Sequence, residues 1–142
     1  MKILVLNGVN LNMLGKRNPQ VYGSLTLAQL NKKVKEFAKN LGVKTVFASS
    51  NCEGKLVDIL HKTKCDAVVF NPGAYTHYSY ALRDAVESIS IPVVEVHLSN
   101  VMEREEFRKI DVLEDVVVAK FFGKKQESYF DAIQYLVSRA QQ

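Results

Sequence analysis

The sequence has no apolar stretch approaching the ~18 consecutive residues that cross a bilayer, and it does not open on a charged-then-apolar leader. A cytoplasmic chain with no membrane partner is therefore expected. It has only two cysteines, Cys52 and Cys65, with no paired Cys or His pattern around them. In a reducing compartment that tells against a disulfide and against a zinc site, and both side chains read as small and half-buried. Repeats, low-complexity tracts and Pro/Gly/Ser-rich linkers are missing as well, so residues 1–142 are expected to form a single domain.

Several chemical signatures are also absent. A nucleotide or flavin binder would place a glycine-rich phosphate loop after the first apolar run, where Asn7-Gly8-Val9-Asn10-Leu11-Asn12 stands instead. No Gly-x-Ser-x-Gly elbow marks a hydrolase. A phospho-accepting receiver would end its third strand in aspartate, and here that position is Asn71. Charge is not strongly of one sign: 19 basic against 15 acidic side chains leave +4, which favours anionic partners without choosing among them. The densest basic run, Lys32, Lys33, Lys35 and Lys39, falls on the polar side of a helix and reads as a solvated face, so no nucleic-acid partner is expected.

What is present is regular alternation. Short β-branched or aromatic runs at Ile3–Leu6, Val43–Phe47, Ala67–Phe70, Val93–Val96 and Val116–Phe122 alternate with helical patterns. Leu27, Leu30, Val34, Phe37 and Leu41 step by threes and fours behind a Thr26/Gln29 capping box, and Gly42 stops that helix. Ser50 with Glu53 opens a second helix reaching about Lys62, Thr76 or His77 opens a third reaching about Ser88, and Tyr129, Ile133, Leu136, Val137 and Ala140 stripe a last one. Strand–helix alternation with right-handed crossovers predicts a three-layer α/β/α fold, flavodoxin-like, with a five-stranded parallel sheet in the order 2-1-3-4-5.

In such sheets ligands sit beyond the carboxyl ends of the strands. Strand one runs into Asn7, Asn10 and Asn12, strand three into Asn71, Gly73 and His77, and strand four into Glu95, His97, Ser99 and Asn100. Gly15 to Gly23 has no periodicity and carries Arg17 and Tyr22, which describes a flap. A free tyrosine, with a pKa of about 10, is a poor base at neutral pH, but a neighbouring arginine favours the phenolate. Glu95 lies two residues before His97, on the same face of the strand, where it can orient the imidazole as a general acid. His61, without polar company, reads as a surface residue.

Taken together, Asn7 to Gly15 with Arg17, Pro19, Tyr22 and Gly23, then Asn71-Pro72-Gly73-Ala74, then Glu95 to Asn100 and Arg104-Glu105-Glu106-Phe107-Arg108 resemble type II 3-dehydroquinate dehydratase. The resemblance implies a homo-dodecamer, a tetramer of trimers, that dehydrates 3-dehydroquinate to 3-dehydroshikimate without cofactor, metal or Schiff base. It implies Tyr22 as the base, Arg17 as its activator, Asn10 as a holder of water against the enolate, and His97 as the acid oriented by Glu95. It implies a carboxylate cradle at the Leu98 and Ser99 amides, and substrate or wall contacts from Asn71, Gly73, His77, Asp84 and Arg108, with Asp84 reaching a neighbouring subunit's site. The sequence departs from the family at Val9, where proline is usual, and from Ile110 to Ser128, where a serine- and glycine-rich run is usual. Tyr22 is useful only with the flap closed, and without ligand the flap is expected open or unresolved. The competing reading is a flavodoxin-like module that binds a small ligand without turning it over.

Overall fold

The computed structural model describes residues 1–142. Five parallel strands, β1 (Lys2–Asn7), β2 (Lys44–Ser49), β3 (Ala67–Asn71), β4 (Val93–His97) and β5 (Ala119–Phe122), form one sheet in the order β2-β1-β3-β4-β5. β3 and β4 are buried along their whole length, as strands covered on both faces must be. Side chains alternate across β1: Ile3 and Val5 join an apolar cluster with Leu30, Val34, Tyr129 and Ile133, whereas Leu4 and Leu6 join Leu56, Leu60, Leu82 and Val86. The first cluster is closed by α2 (Leu27–Asn40) and α5 (Gln126–Ala140), the second by α3 (Glu53–Lys62) and α4 (Tyr80–Ser88).

α2 starts as expected. Thr26 Oγ1 accepts from the Gln29 amide at 3.2 Å and Gln29 Oε1 accepts from the Thr26 amide at 2.9 Å, a reciprocal capping box. Three other boundaries differ from the sequence reading. Ser50 does not cap α3: its hydroxyl accepts from the Cys52 amide, and Cys52 occupies the cap position without a side-chain bond. α4 begins at Tyr80, because Pro72 leads into a 3₁₀ turn over Gly73–His77 and Thr76 turns its hydroxyl inward, leaving Ser79 to cap Leu82. β5 begins at Ala119, since the amides of Val116 and Val117 both close turns onto the Leu113 carbonyl.

The cysteines are unlike each other, Cys65 buried and Cys52 exposed, and both are free thiols. His61 is exposed. No helix is long and apolar enough to cross a membrane.

Candidate active site

The floor of the site is a hydrogen-bond chain tying two strand ends to the last helix. Asn7 ends β1 and Asn71 ends β3, paired side by side in the sheet. The Tyr129 hydroxyl donates to Asn7 Oδ1 at 2.6 Å and accepts from Asn71 Nδ2 at 2.8 Å, and Asn71 Oδ1 accepts from the Gly73 amide at 3.0 Å. Burial pushes the Tyr129 phenol well above its ordinary value, so the donor keeps its proton.

Above that floor the loops after β1 and β3 touch. A Cβ on Gly8 would lie 2.6 Å from the Pro72 carbonyl oxygen, and one on Gly73 would lie 2.6 Å from that of Val9. Gly73 also has φ +66°, which a side chain tolerates poorly. Gly73→Ala is therefore expected to cost about 2 kcal/mol or more and to lower the unfolding midpoint by several degrees in a thermal melt.

A cavity of about 140 Å³ opens at this edge, lined among others by Asn10, Arg17, Tyr22, His77, His97 and Arg104. Asn71, Gly73, Leu98, Ser99 and Arg108 also border it. That is room for one small ring rather than a nucleotide. Its charge is one-sided, with the guanidinium groups of Arg17, Arg104 and Arg108 on the wall. The Leu98 and Ser99 amides, at the end of β4, make no hydrogen bond within the chain. Free amides beside arginines suit a carboxylate.

The flap differs from expectation. It is neither open nor irregular: Pro19–Tyr22 forms the short helix α1, capped by Asn18, whose Oδ1 accepts from the Gln20 amide. The sequence carried that signal, asparagine followed by proline at a helix start. Tyr22 is drawn into the cavity, where its Oη accepts from Arg17 Nη2 at 2.7 Å and from Arg104 Nη1 at 2.8 Å. Arg17 also stacks 3.9 Å from the ring centroid. Two charge-assisted donors converging on one phenolic oxygen are an arrangement that stabilises negative charge there. Arg104 was not singled out as a site residue from the sequence; it stands in a run of charged residues, and only the fold brings it across 82 positions to Tyr22.

His97 is buried at the end of β4, and its Nε2 lies 2.7 Å from Glu95 Oε1. With that nitrogen engaged, Nδ1 is left for the cavity. Glu95 is wholly buried, and burial raises its carboxyl above the usual range, against the opposing pull of His97. His77 Nδ1 donates to the Ile110 carbonyl at 2.7 Å, fixing the tautomer with Nε2 free. Burial, with the charges of His97 and Arg108, holds His77 below its ordinary value, so it stays neutral and able to accept a hydrogen bond. Asn10 sits at φ +67°, held by its amide to Asn51 Oδ1 at 2.9 Å.

Two residues noted at the strand ends, and one that the resemblance implied, do other work or stand apart. Asn100 caps the turn at Val101–Glu103, Asn12 is exposed and outside the cavity wall, and Asp84 is exposed on α4, away from this chain's cavity. No group of three or more His, Cys, Asp or Glu side chains is placed to hold a metal ion.

Comparison with known proteins gives the family. The family model for class II dehydroquinases matches residues 1–137. The chain belongs to the class II dehydroquinase family. A 3-dehydroquinate dehydratase of Pelotomaculum thermopropionicum is 56% identical over 135 residues, covering 94% of each chain. The 3-dehydroquinate dehydratase of Thermotoga maritima is 44% identical over 142 residues, covering 100% of this chain and 99% of its own. The crystal structure of the type II dehydroquinase from Butyrivibrio crossotus superposes with a TM-score of 0.93 at 45% identity, covering 96% of this chain and 97% of that one. The family match runs through the segment 110–128.

Proposed function

We propose that this class II dehydroquinase dehydrates 3-dehydroquinate to 3-dehydroshikimate, with Tyr22 and His97 dividing the two proton transfers. The observation that carries the division is the pair of guanidinium donors on the Tyr22 oxygen, in the same cavity as a His97–Glu95 dyad. Tyr22, as phenolate, takes the C2 proton, and the electrons of that bond move toward the C3 carbonyl to form an enolate. Asn10 supports a water against the enolate oxygen. The enolate then collapses to form the C1–C2 double bond as the C1–O bond breaks, and His97 protonates the departing hydroxyl so that it leaves as water. The unbonded amides of Leu98 and Ser99 receive the substrate carboxylate, while Asn71, Gly73, His77 and Arg108 contact the ring hydroxyls and the wall.

The reaction balances with no cofactor: one proton leaves carbon, one reaches oxygen. The step belongs to the shikimate pathway. We further propose that residues 1–142 act as one domain in the cytoplasm and that the chain assembles as a homo-dodecamer, a tetramer of trimers, in which exposed Asp84 reaches a neighbouring subunit's cavity.

Purified protein mixed with 3-dehydroquinate, with neither metal nor nucleotide added, should produce a conjugated enone acid, followed as rising near-ultraviolet absorbance. Saturable binding with no rise in absorbance would instead favour the ligand-binding module.

A further inference from the structure

Beneath the His97–Glu95 dyad lies a second layer of charge that the reaction scheme above leaves unused. Glu95 on β4 stands opposite Lys120 on β5 in the sheet register. Lys120 Nζ lies 2.8 Å from Asp111 Oδ2, and the two side chains are 17% and 3% exposed, respectively. The contact is a close, buried ion pair. The Thr76 hydroxyl bridges the two layers, touching Glu95 Oε1 on one side and Asp111 Oδ1, 2.9 Å away, on the other.

Counting protons gives the bridge its meaning. A hydroxyl has one proton to donate, yet Thr76 contacts two carboxyl oxygens. One carboxyl must therefore be the donor to Thr76, which means it is itself protonated. Burial raises both groups, but the hydrogen bond from the Glu95 side and the Lys120 ammonium outweigh it at Asp111 and hold that carboxyl below its ordinary range. Glu95 makes no ion pair with Lys120, which turns to Asp111; it is raised by burial, and its Oε2 is buried without a partner. Glu95 is thus pushed toward its protonated form, while Lys120 favours the charged form of Asp111.

We propose that Asp111 and Lys120 are positioning residues for catalysis: a buried carboxylate–ammonium pair that, through Thr76, sets the charge state and orientation of the Glu95–His97 dyad. The inference rests on His97 being the acid. The charged or titratable groups around the dyad are His97 on Glu95's own strand, Arg17, Tyr22, Arg104 and Arg108 across the cavity, His77 from the Gly73–His77 turn, Asp111 and Lys120; β3 presents Phe70 beside Glu95.

The pair makes opposite contributions, which gives the test its sign. Asp111→Asn removes a negative charge, so the dyad binds its protons less readily and the His97 titration should move to lower pH. Lys120→Met removes a positive charge and should move it to higher pH. Each shift is expected to be about one unit, and the double variant should return close to the parent. Lys120→Arg should leave the midpoint near that of the parent.

The readout is the imidazole titration of His97 by NMR in the full chain, assigned among three histidines by loss of its signal in His97→Gln. It is paired with the pH profile of kcat/KM, whose limb should move with it. Asparagine at 111 keeps the acceptor for the Leu113 amide, and should Asp111→Asn fail to fold, the Lys120 variants carry the test. Movement of both single variants in one direction, or no movement in either, would overturn the proposal. Normal turnover by His97→Gln would overturn the assignment of the acid instead.

Discussion

Tyr22→Phe is expected to lower kcat by about 10³-fold while leaving substrate binding measurable, because removing one positioned acid–base group costs on the order of 10²–10⁴. The ring remains, and with it the Arg17 stack at 3.9 Å that draws the flap inward. What disappears is the oxygen to which Arg17 and Arg104 donate. The loss should therefore fall on kcat far more than on the dissociation constant measured by calorimetry. A variant that turned over at close to the parental rate would remove Tyr22 from the mechanism.

His97→Gln should depress product formation by a comparable factor, but at the other step. If Tyr22 removes the C2 proton and His97 serves only the leaving hydroxyl, the variant should still form the enolate and reverse it. In heavy water, then, His97→Gln should exchange the C2 hydrogen for deuterium, visible by NMR, while eliminating little. Tyr22→Phe should do neither. Loss of exchange in His97→Gln would place the histidine in the first step as well. The glutamine amide keeps a contact toward Glu95, so a general collapse of the site is not the expected cause of a slow rate.

The centre of the sheet was legible because β1, β3 and β4 are buried on both faces, and such strands must be written in valine, isoleucine and phenylalanine whatever the loops contain. The same rule misplaced the start of β5: Val116 and Val117 look like strand residues but spend their amides on turns over the buried Leu113. Thr76 was misread for a related reason. Threonine before a helical pattern reads as a cap, and nothing local reveals a buried acid waiting for its hydroxyl. Glu95 and His97 stood out at a strand end and Tyr22 on the flap, and the fold brings Tyr22 and His97 to one cavity with Glu95 behind the histidine. Arg104 and the Asp111–Lys120 pair were missed because their partners lie on other elements, and charge runs on exposed turns usually face water.

The bond from Tyr129 to Asn7 spans 122 positions. The hydroxyl that ties the ends of β1 and β3 thus reaches the site only once α5 has docked. A ribosome making this chain delivers every proposed catalytic side chain well before it delivers their anchor. The nascent protein should remain inert until its last helix has emerged, and a message truncated ahead of that helix would yield a polypeptide carrying Tyr22 and His97 but no rigid site in which to use them.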